Sequence, residues 1–520
     1  MNLFVGLALF AGVLKESFRI ADAEQKHHQV YVRAAMASDG RFAIAWIDSL
    51  KLTEGSELNL YIRFFDKGGN PVSDPYKLPK LFDTIWVYYP SLDMSLSGNT
   101  VLVWVEDQTL SNTELSKIKF QHFFYDGKPD GLTKTLYSEV DIGYPTPIDL
   151  SNRNKFAMAF STILNDSSSI WAQRFNLSGI PQDSHFMVHD TLYENTKHPC
   201  IALNDTGDIV ATWFDYNDPI HNFPKYQVFD NNDKPILPWK PQGYRLDDGD
   251  SLAGACRPEP SWIDDDRFVV FWPDVYNEVP YPLMGRVFSE KGATGHPLTA
   301  VLRDSLWSNV QDPRGRFSTD VLLDGRFAVT YTRTHTRPND PSTFFWDHQA
   351  GLLGRVENNV PVPTSGIFEY TPPYGPDTVS SFIPPVQRLQ TPAVAASDDR
   401  IVWVYSRLNK DTVYEAYAII TDWDMGEGVG EPTTLPPSHV THLEIANPIG
   451  SSITLRYSNC PNGFSASVYD ASGRRVDELR SSQTHGTIQW GGGRGCYGPG
   501  VYFIVPQGEK ASPSKVVLVK

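Results

Sequence analysis

The stretch Arg41-Phe-Ala-Ile-Ala-Trp46 is the first of several short apolar runs that end in an aromatic residue. Six more copies follow it, and their terminal aromatic residues lie 53 to 74 residues apart: Asn99-Thr-Val-Leu-Val-Trp104, Lys155-Phe-Ala-Met-Ala-Phe160, Asp208-Ile-Val-Ala-Thr-Trp213, Arg267-Phe-Val-Val-Phe-Trp272, Arg326-Phe-Ala-Val-Thr-Tyr331 and Arg400-Ile-Val-Trp-Val-Tyr405. β-Branched and aromatic runs of this length, entered from turns such as Ser38-Asp-Gly40, are typical of buried strands.

A second strand-like element follows each copy, as in Tyr61-Ile-Arg-Phe-Phe-Asp66, and a turn and a short strand usually come next. Each unit therefore carries about four strands. A single four-stranded sheet cannot bury both of its faces, but radial stacking of neighbouring sheets can. The fold predicted is all-β: a seven-bladed β-propeller followed by a small immunoglobulin-like β-sandwich. An open β-solenoid and a propeller of six or eight blades are the alternatives. The last unit is expected to be completed by Trp423 to Pro436, which echoes Phe65 to Pro79.

The predicted organisation is a signal peptide over residues 1–23, the propeller over 24–436, a linker over 437–442 and the sandwich over 443–520. The run Leu3 to Leu14 has the length of a signal-peptide core, and Ala21-Asp-Ala23 offers a cleavage site. A buried N-terminal strand or helix is the alternative. No later run reaches the roughly 18 apolar residues of a membrane helix, so we expect no transmembrane segment in the mature chain.

The charge of the chain is acidic and unevenly distributed. The 520 residues carry a formal charge of −16, which disfavours a nucleic-acid partner. Eight basic and five acidic residues follow Pro436, so this part carries +3 and the remainder −19. Such a division indicates two domains with different roles.

The C-terminal segment contains a set of ordered motifs. They are Asn447-Pro448, Ile453-Thr-Leu-Arg-Tyr457, Val468-Tyr-Asp-Ala-Ser-Gly-Arg-Arg-Val476, Trp490, Gly500-Val-Tyr-Phe503 and Lys515-Val-Val-Leu-Val-Lys520. With these motifs the segment resembles the type A sorting domain of type IX secretion substrates and is similar to the immunoglobulin-like domain of flagellar hook-capping proteins. In the sorting family an Asp-Gly pair usually follows the tryptophan, whereas here Gly491-Gly-Gly-Arg-Gly495 does. The rest of the chain looks like secreted bacterial propeller repeat proteins.

The resemblance implies a secreted or outer-surface protein whose partner is the outer-membrane secretion machinery. An ordinary adhesive module is the alternative for this domain. We expect a disulfide between Cys460 and Cys496, which both fall in loops of the sandwich, and a second one between Cys200 and Cys256.

Long, aromatic-rich loops are expected on one face of the propeller, because the loops before the first strand and between the second and third strands share a face. The candidate binding residues in them are Trp86, Tyr88, Tyr89, Tyr216, His221, Asp274, Tyr276, His335, Arg337, Trp346 and Asp347. Their ligand is an unknown glycan or protein, since Trp and Tyr suit either. The loops could instead serve only to cap the blades.

No nucleotide, zinc, calcium or nucleophile-elbow motif stands in the required context, so no cofactor, metal or catalytic residue is predicted. The predicted role is a binding or scaffold module. The alternative is a carbohydrate-active hydrolase or lyase on the same scaffold, whose acids could come from residues such as Asp274 and Asp347.

Overall fold

The computed structural model describes the backbone of most of the chain. The described ranges are residues 12–21, 27–49, 58–80, 86–107, 116–139, 147–151, 153–164, 167–189, 196–215, 223–247, 258–273, 281–306, 317–337, 340–369, 392–408, 413–424, 442–445, 449–458, 464–471, 474–483, 486–491, 497–506 and 514–519. The chain divides into two compact units, Met1–Gly430 and Glu431–Lys520. The division falls six residues before the predicted end of the propeller at Pro436, and it lies outside the described residues.

The first unit consists of short antiparallel sheets. An N-terminal strand, β1, spans Val13–Arg19. The first two blades are β2 (His28–Met36), β3 (Phe42–Ser49), β4 (Leu58–Phe65) and β5 (Tyr76–Lys77), then β6 (Trp86–Met94), β7 (Thr100–Asp107), β8 (Ser116–Phe123) and β9 (Lys134–Glu139). The next two are β10 (Ile148–Ser151), β11 (Lys155–Leu164), β12 (Ser167–Asn176) and β13 (Phe186–Met187), then β14 (Thr196–Leu203), β15 (Ile209–Asp215), β16 (Phe223–Phe229) and β17 (Tyr244–Arg245).

The fifth and sixth blades carry small additions, and the seventh has only three consecutive strands within the described residues. The fifth contains β18 (Glu259–Trp262), β19 (Phe268–Pro273), β20 (Tyr281–Ser289), β21 (Thr294–Gly295) and β22 (Thr299–Leu306), with a 3₁₀ turn at Glu290–Gly292. The sixth contains β23 (Phe317–Val321), β24 (Arg326–Arg337), β25 (Asp340–Glu357), β26 (Val360–Pro363) and β27 (Phe368–Glu369). The seventh contains β28 (Ala393–Ala396), β29 (Ile401–Leu408) and β30 (Tyr414–Thr421).

The seven sheets close into a ring. The first strands β2, β6, β10, β14, β18, β23 and β28 each contact the next in this order, and β28 contacts β2. The repeated aromatic residues are at most 1% exposed: Trp46, Trp104, Phe160, Trp213, Trp272, Tyr331 and Tyr405. They lie in the apolar layers between blades, where burial removes large apolar surfaces from water. The all-β fold and the count of seven blades are therefore confirmed.

The seventh blade obtains its outer strand from the other end of the sequence. Strand β1 pairs antiparallel with β30, for example Phe18 opposite Ala418. The Ser17 hydroxyl lies 2.7 Å from the Tyr405 hydroxyl, and Arg19 forms a 2.9 Å ion pair with Glu415. The prediction that Trp423 to Pro436 completes this blade is wrong, because β1 occupies that edge.

The place of β1 also differs from the sequence prediction, which puts residues 13–19 inside a signal peptide. An alternating segment can pair with any open sheet edge of matching register, and local pattern does not identify which edge is near in space. Cleavage at Ala23 would remove this strand from the propeller.

The Asp-Gly-Arg turns that introduce several second strands connect neighbouring blades. In the sixth blade Gly325 has a φ of +83°, which glycine adopts without strain, and this lets the chain reverse. The Asp324 carboxylate accepts a 2.6 Å bond from Arg326 Nε, and Arg326 Nη1 donates at 2.8 Å to the Asp398 carbonyl in the seventh blade. Arg400 donates in the same way to the Lys67 carbonyl of the first blade, at 2.5 Å. The recurring Asp and Arg therefore have a structural role.

The second unit is a small β-sandwich. Its strands are β31 (His442–Ile445), β32 (Ile449–Gly450), β33 (Ile453–Ser458), β34 (Phe464–Asp470), β35 (Arg475–Ser481), β36 (Gly486–Trp490), β37 (Gly500–Pro506) and β38 (Ser514–Leu518). One sheet has the order β31-β33-β36 and the other β32-β38-β37-β34-β35. Residues of both sheets share one core, which includes Leu455, Val468, Trp490 and Ile504. Asp477 accepts hydrogen bonds from Trp490 Nε1, at 2.9 Å, and from the Tyr497 hydroxyl.

Candidate functional site

The two faces of the ring differ in the connections that they carry. Because the strands of a blade are antiparallel, its first strand begins where its second strand ends, as the pairing of Trp86 with Asp107 shows. We call the face at this end the entry face and the opposite one, which carries the Asp-Gly turns, the turn face. Connections between blades and between second and third strands lie on the entry face.

The predicted binding residues fall partly within the described backbone. Trp86, Tyr88 and Tyr89 lie in the entry-face half of β6, where the backbone is described. Four others lie on β24 or β25: His335, Arg337, Trp346 and Asp347. The remaining four lie outside the described residues: Tyr216, His221, Asp274 and Tyr276.

The segment 332–348, for which the sequence predicts a loop, is instead a β-hairpin extension of the sixth blade. His335 pairs with Phe345 and Thr334 with Trp346. The alternation Thr-Arg-Thr-His-Thr-Arg from Thr332 to Arg337 favours a strand, because β-branched threonine fits a pleated ribbon. His335 and Trp346 therefore lie on adjacent strands at the entry face, on successive rungs and not in one cross-strand pair.

The predicted disulfides stay predictions. Cys460, Cys496 and Cys256 lie outside the described residues. Cys200 is 3% exposed on β14, at the central channel.

A cavity of about 690 Å³ occupies the centre of the ring and is lined by the first strands of all seven blades. Seven of the described acidic residues line it, and four of them, called here the channel carboxylates, lie on first strands: Asp93, Asp149, Glu259 and Asp320. Asp93, Asp149 and Asp320 occupy equivalent positions, opposite Val101, Ala157 and Ala328, three residues before the repeated aromatic. The same position in the other blades holds a small residue: Ala35, Ala202, Ser261 or Ala395.

Each of these carboxylates accepts a backbone hydrogen bond from the next blade. Asp93 Oδ2 accepts from Leu150 N at 2.6 Å, and Asp149 Oδ2 accepts from Leu203 N at 2.8 Å. Asp320 Oδ2 accepts from Ala396 N at 2.6 Å. The first strand is the edge of its sheet, so its outward N–H groups lack ladder partners, and a buried N–H without an acceptor is costly.

Glu259 makes an equivalent contact from a position two residues before Ser261, and so nearer the entry face. Its Oε2 atom accepts from Thr319 N at 3.0 Å and from the Thr319 hydroxyl at 3.1 Å. The channel carboxylates thus join the second blade to the third, the third to the fourth, the fifth to the sixth and the sixth to the seventh.

Burial raises the pKa values of three of these groups. Desolvation, together with the charge of Asp149, holds the pKa of Asp93 well above its usual range. Burial likewise raises the pKa of Asp149, against the hydrogen bond from Leu203 N. Burial raises the pKa of Asp320 to about 6.

The chemistry available in the channel is limited by these contacts. A glycosidase needs two carboxyl groups about 5–10 Å apart with the substrate between them. Asp93 and Asp149 each already accept an N–H bond from the next blade, so neither carboxyl group is free to face a substrate with both of its oxygens. Among the described residues, no group of three or more His, Cys, Asp or Glu side chains could hold a metal ion.

Sequence reasoning missed the channel carboxylates because it searched the loops. The sequence pattern that marks these carboxylates is an aspartate inside an otherwise apolar first strand, as in Ser91-Leu-Asp-Met94 and Pro147-Ile-Asp-Leu150. A charged residue in such a strand is rarely left without a partner, so the pattern predicts a buried contact.

The fold defines the first unit as a seven-bladed β-propeller. No protein-family model and no curated protein matches the sequence. Several solved structures are similar to this chain. One is a protein of unknown function from Dyadobacter fermentans DSM 18053, which is 10% identical with a TM-score of 0.43; the match covers 79% of this chain and 99% of that chain. The polysaccharide lyase Uly1 is 8% identical with a TM-score of 0.42, over 80% and 100%. A Trypanosoma rangeli sialidase is 8% identical with a TM-score of 0.38, over 98% and 87%. Likeness at this level carries no conclusion about activity.

Within the described residues, no helix has the length and apolar character that crossing a membrane requires.

Proposed function

We propose that this chain is an exported protein, secreted or held at the outer cell surface, whose propeller is a binding or scaffold module. The observation that carries the proposal is the use of the channel carboxylates. Asp93, Asp149, Glu259 and Asp320 all accept hydrogen bonds from the neighbouring blade. Groups committed to holding blades together are poorly placed to change partners during a reaction, because breaking each contact leaves a buried N–H unpaired.

The ligand is expected at the entry face. There the β24–β25 hairpin carries His335 and Trp346 on adjacent strands, and β6 begins with Trp86. Aromatic side chains stack on sugar rings and anchor protein partners. A glycan or a protein surface is therefore the proposed ligand class.

Binding can be tested with a glycan array and with the variants Trp346→Ala and Trp86→Ala. Trp239→Ala is the matched control, since Trp239 is 40% exposed in the connection between the third and fourth strands of its blade, on the turn face. We expect the first two variants to lose at least ten-fold in affinity for whatever glycan the array identifies, and the control to retain it. Equal loss in all three would contradict an entry-face site.

The second candidate function is a carbohydrate-active hydrolase or lyase. The electrostatic interaction of Asp93 with Asp149 favours it, because the charge of Asp149 adds to burial in raising the pKa of Asp93, and neighbouring carboxyl groups with raised pKa values are a common acid–base device. A screen for hydrolysis and elimination on polysaccharides, run with wild type and Asp149→Asn, separates the two functions. Turnover that Asp149→Asn abolishes without unfolding the protein would establish the enzyme and refute the scaffold role of the pair.

We propose that the C-terminal domain directs type IX secretion, with the outer-membrane secretion machinery as its partner. The support is the ordered set of motifs from Asn447 to Lys520 and the closed sandwich that they form. In a host with type IX secretion, deletion of residues 443–520 is expected to leave the propeller inside the outer membrane. Unchanged export after the deletion would favour an ordinary adhesive module.

A further inference from the structure

The five-stranded sheet of the C-terminal domain has an apolar outer face. Along β37, Tyr502 and Ile504 are buried in the core, so the alternate residues Val501, Phe503 and Val505 face outward. Phe503 is 36% exposed. In a sandwich the outward positions are usually polar, because they face water.

The apolar residues of this face are contiguous across strands. Phe503 lies between Tyr469 on β34 and Lys515 on β38. In the neighbouring row Val517 lies between Ile449 on β32 and Val501 on β37. Ile449 is 64% exposed, and Val519, just after β38, is 42% exposed. Exposed apolar patches that span several elements mark interaction sites.

Basic groups border the patch. On the edge strand β35 the outward residues are Arg475, Glu478 and Arg480, and Glu478 is ion-paired with both arginines, with Arg480 at 2.6 Å. The single carboxylate is thus shared between two guanidinium groups. Lys515 is exposed in the same row as Phe503. These four groups together carry a charge of +2, which matches the positive balance of the whole domain.

We propose that this outer face is the surface on which the domain docks to a folded protein partner that presents an apolar patch bordered by carboxylates. The inference rests on the proposed sorting function, and it places that partner in the outer-membrane secretion machinery. Apolar contact supplies the affinity, and opposite charge at the border supplies orientation and encounter rate. A second copy of this chain fits less well, since two identical faces would bring Lys515 and the arginines of both copies together.

The test uses the full chain in a host with type IX secretion. The face variant is Phe503→Ser with Val517→Thr, and the control is Thr487→Ser with Gln489→Ser, which alters exposed residues of β36 on the other sheet. We expect the face variant to lower the amount of propeller outside the outer membrane at least ten-fold and the control to leave it unchanged. Lys515→Glu is expected to lower export several-fold, because it opposes the partner's carboxylates.

Both double variants are purified and melted beside wild type to show that the domain still folds. Wild-type export by a folded face variant would overturn the docking surface, while loss of export on deletion of 443–520 would still uphold the sorting function. If deletion of residues 443–520 left export unchanged, the proposed sorting function itself would be refuted. Two other results would also overturn the proposal. One is flotation of the wild-type protein with anionic phosphatidylglycerol vesicles that the face variant loses. The other is a wild-type dimer in sedimentation that the face variant fails to form.

Discussion

Asp320 gives the propeller a specific dependence of stability on pH. Its pKa is about 6 in the folded chain, against an ordinary value of 3.8. The folded state therefore holds this proton more tightly than the unfolded state between pH 4 and pH 6. The contribution of protonated Asp320 to the free energy of unfolding is therefore fully present below pH 4. It is lost as the pH rises through 6, and it does not change further above that pH. A rise in pKa from 3.8 to about 6 corresponds to at most about 3 kcal/mol, because Asp320 lines an open cavity in which its charge is partly screened.

The variant Asp320→Asn isolates this effect. In the wild-type chain Ala396 N donates to Asp320 Oδ2 at 2.6 Å. Asparagine keeps an oxygen that can accept this hydrogen bond, and it does not ionise. We expect wild type and variant to have nearly equal stability at pH 4, and the variant to be more stable by about 2–3 kcal/mol at pH 7.5. For a propeller of this size that corresponds to about 3 °C in the unfolding temperature, at roughly 2 cal/mol/K of unfolding entropy per residue.

The assay is calorimetric unfolding of both proteins from pH 4 to pH 8. Asp320→Ala is the companion variant, because it removes the acceptor and leaves Ala396 N unpaired; we expect it to lose about 1–3 kcal/mol at pH 4. If Asp320→Asn melted below wild type at every pH with an unchanged profile, the carboxylate would be stabilising as an anion. The reasoning from burial would then be refuted.

Two further predictions concern the connections between blades. A chain that begins at residue 24 is expected to lose about 3 kcal/mol or more relative to one that begins at residue 12, because it lacks the pairing of β1 with β30 and the fully buried side chain of Ile20. Equal melting of the two chains would contradict closure by β1. Arg326→Lys is expected to cost about 1–2 kcal/mol, because lysine cannot bond Asp324 and Asp398 together. Lys128→Ala is the control and should leave the free energy of unfolding almost unchanged, because its ion pair is exposed. Chemical denaturation that showed a larger loss for Lys128→Ala than for Arg326→Lys would contradict this account.

Much of the fold could be predicted from local pattern. The seven apolar runs ending in Trp46, Trp104, Phe160 and their counterparts carry both the strand period and the repeat, and a repeat of four strands has one economical way to bury its faces. The candidate site could be predicted only as a set of residue types. Trp346 and His335 are both visible in the sequence, but their placement on two paired strands depends on the register of the hairpin.

The sequence by itself determined the strands, the repeat and the number of blades, because hydrophobic period and turn chemistry act between residues close in the chain. Only the tertiary structure decided which strand closes the seventh blade and where the acids of the first strands lie. Val13–Arg19 meets β30 across about 400 residues of sequence, and Asp93 meets Leu150 N only when two blades stand side by side. Such contacts depend on unpaired edge groups brought together by ring closure, and no local pattern records which two edges will meet.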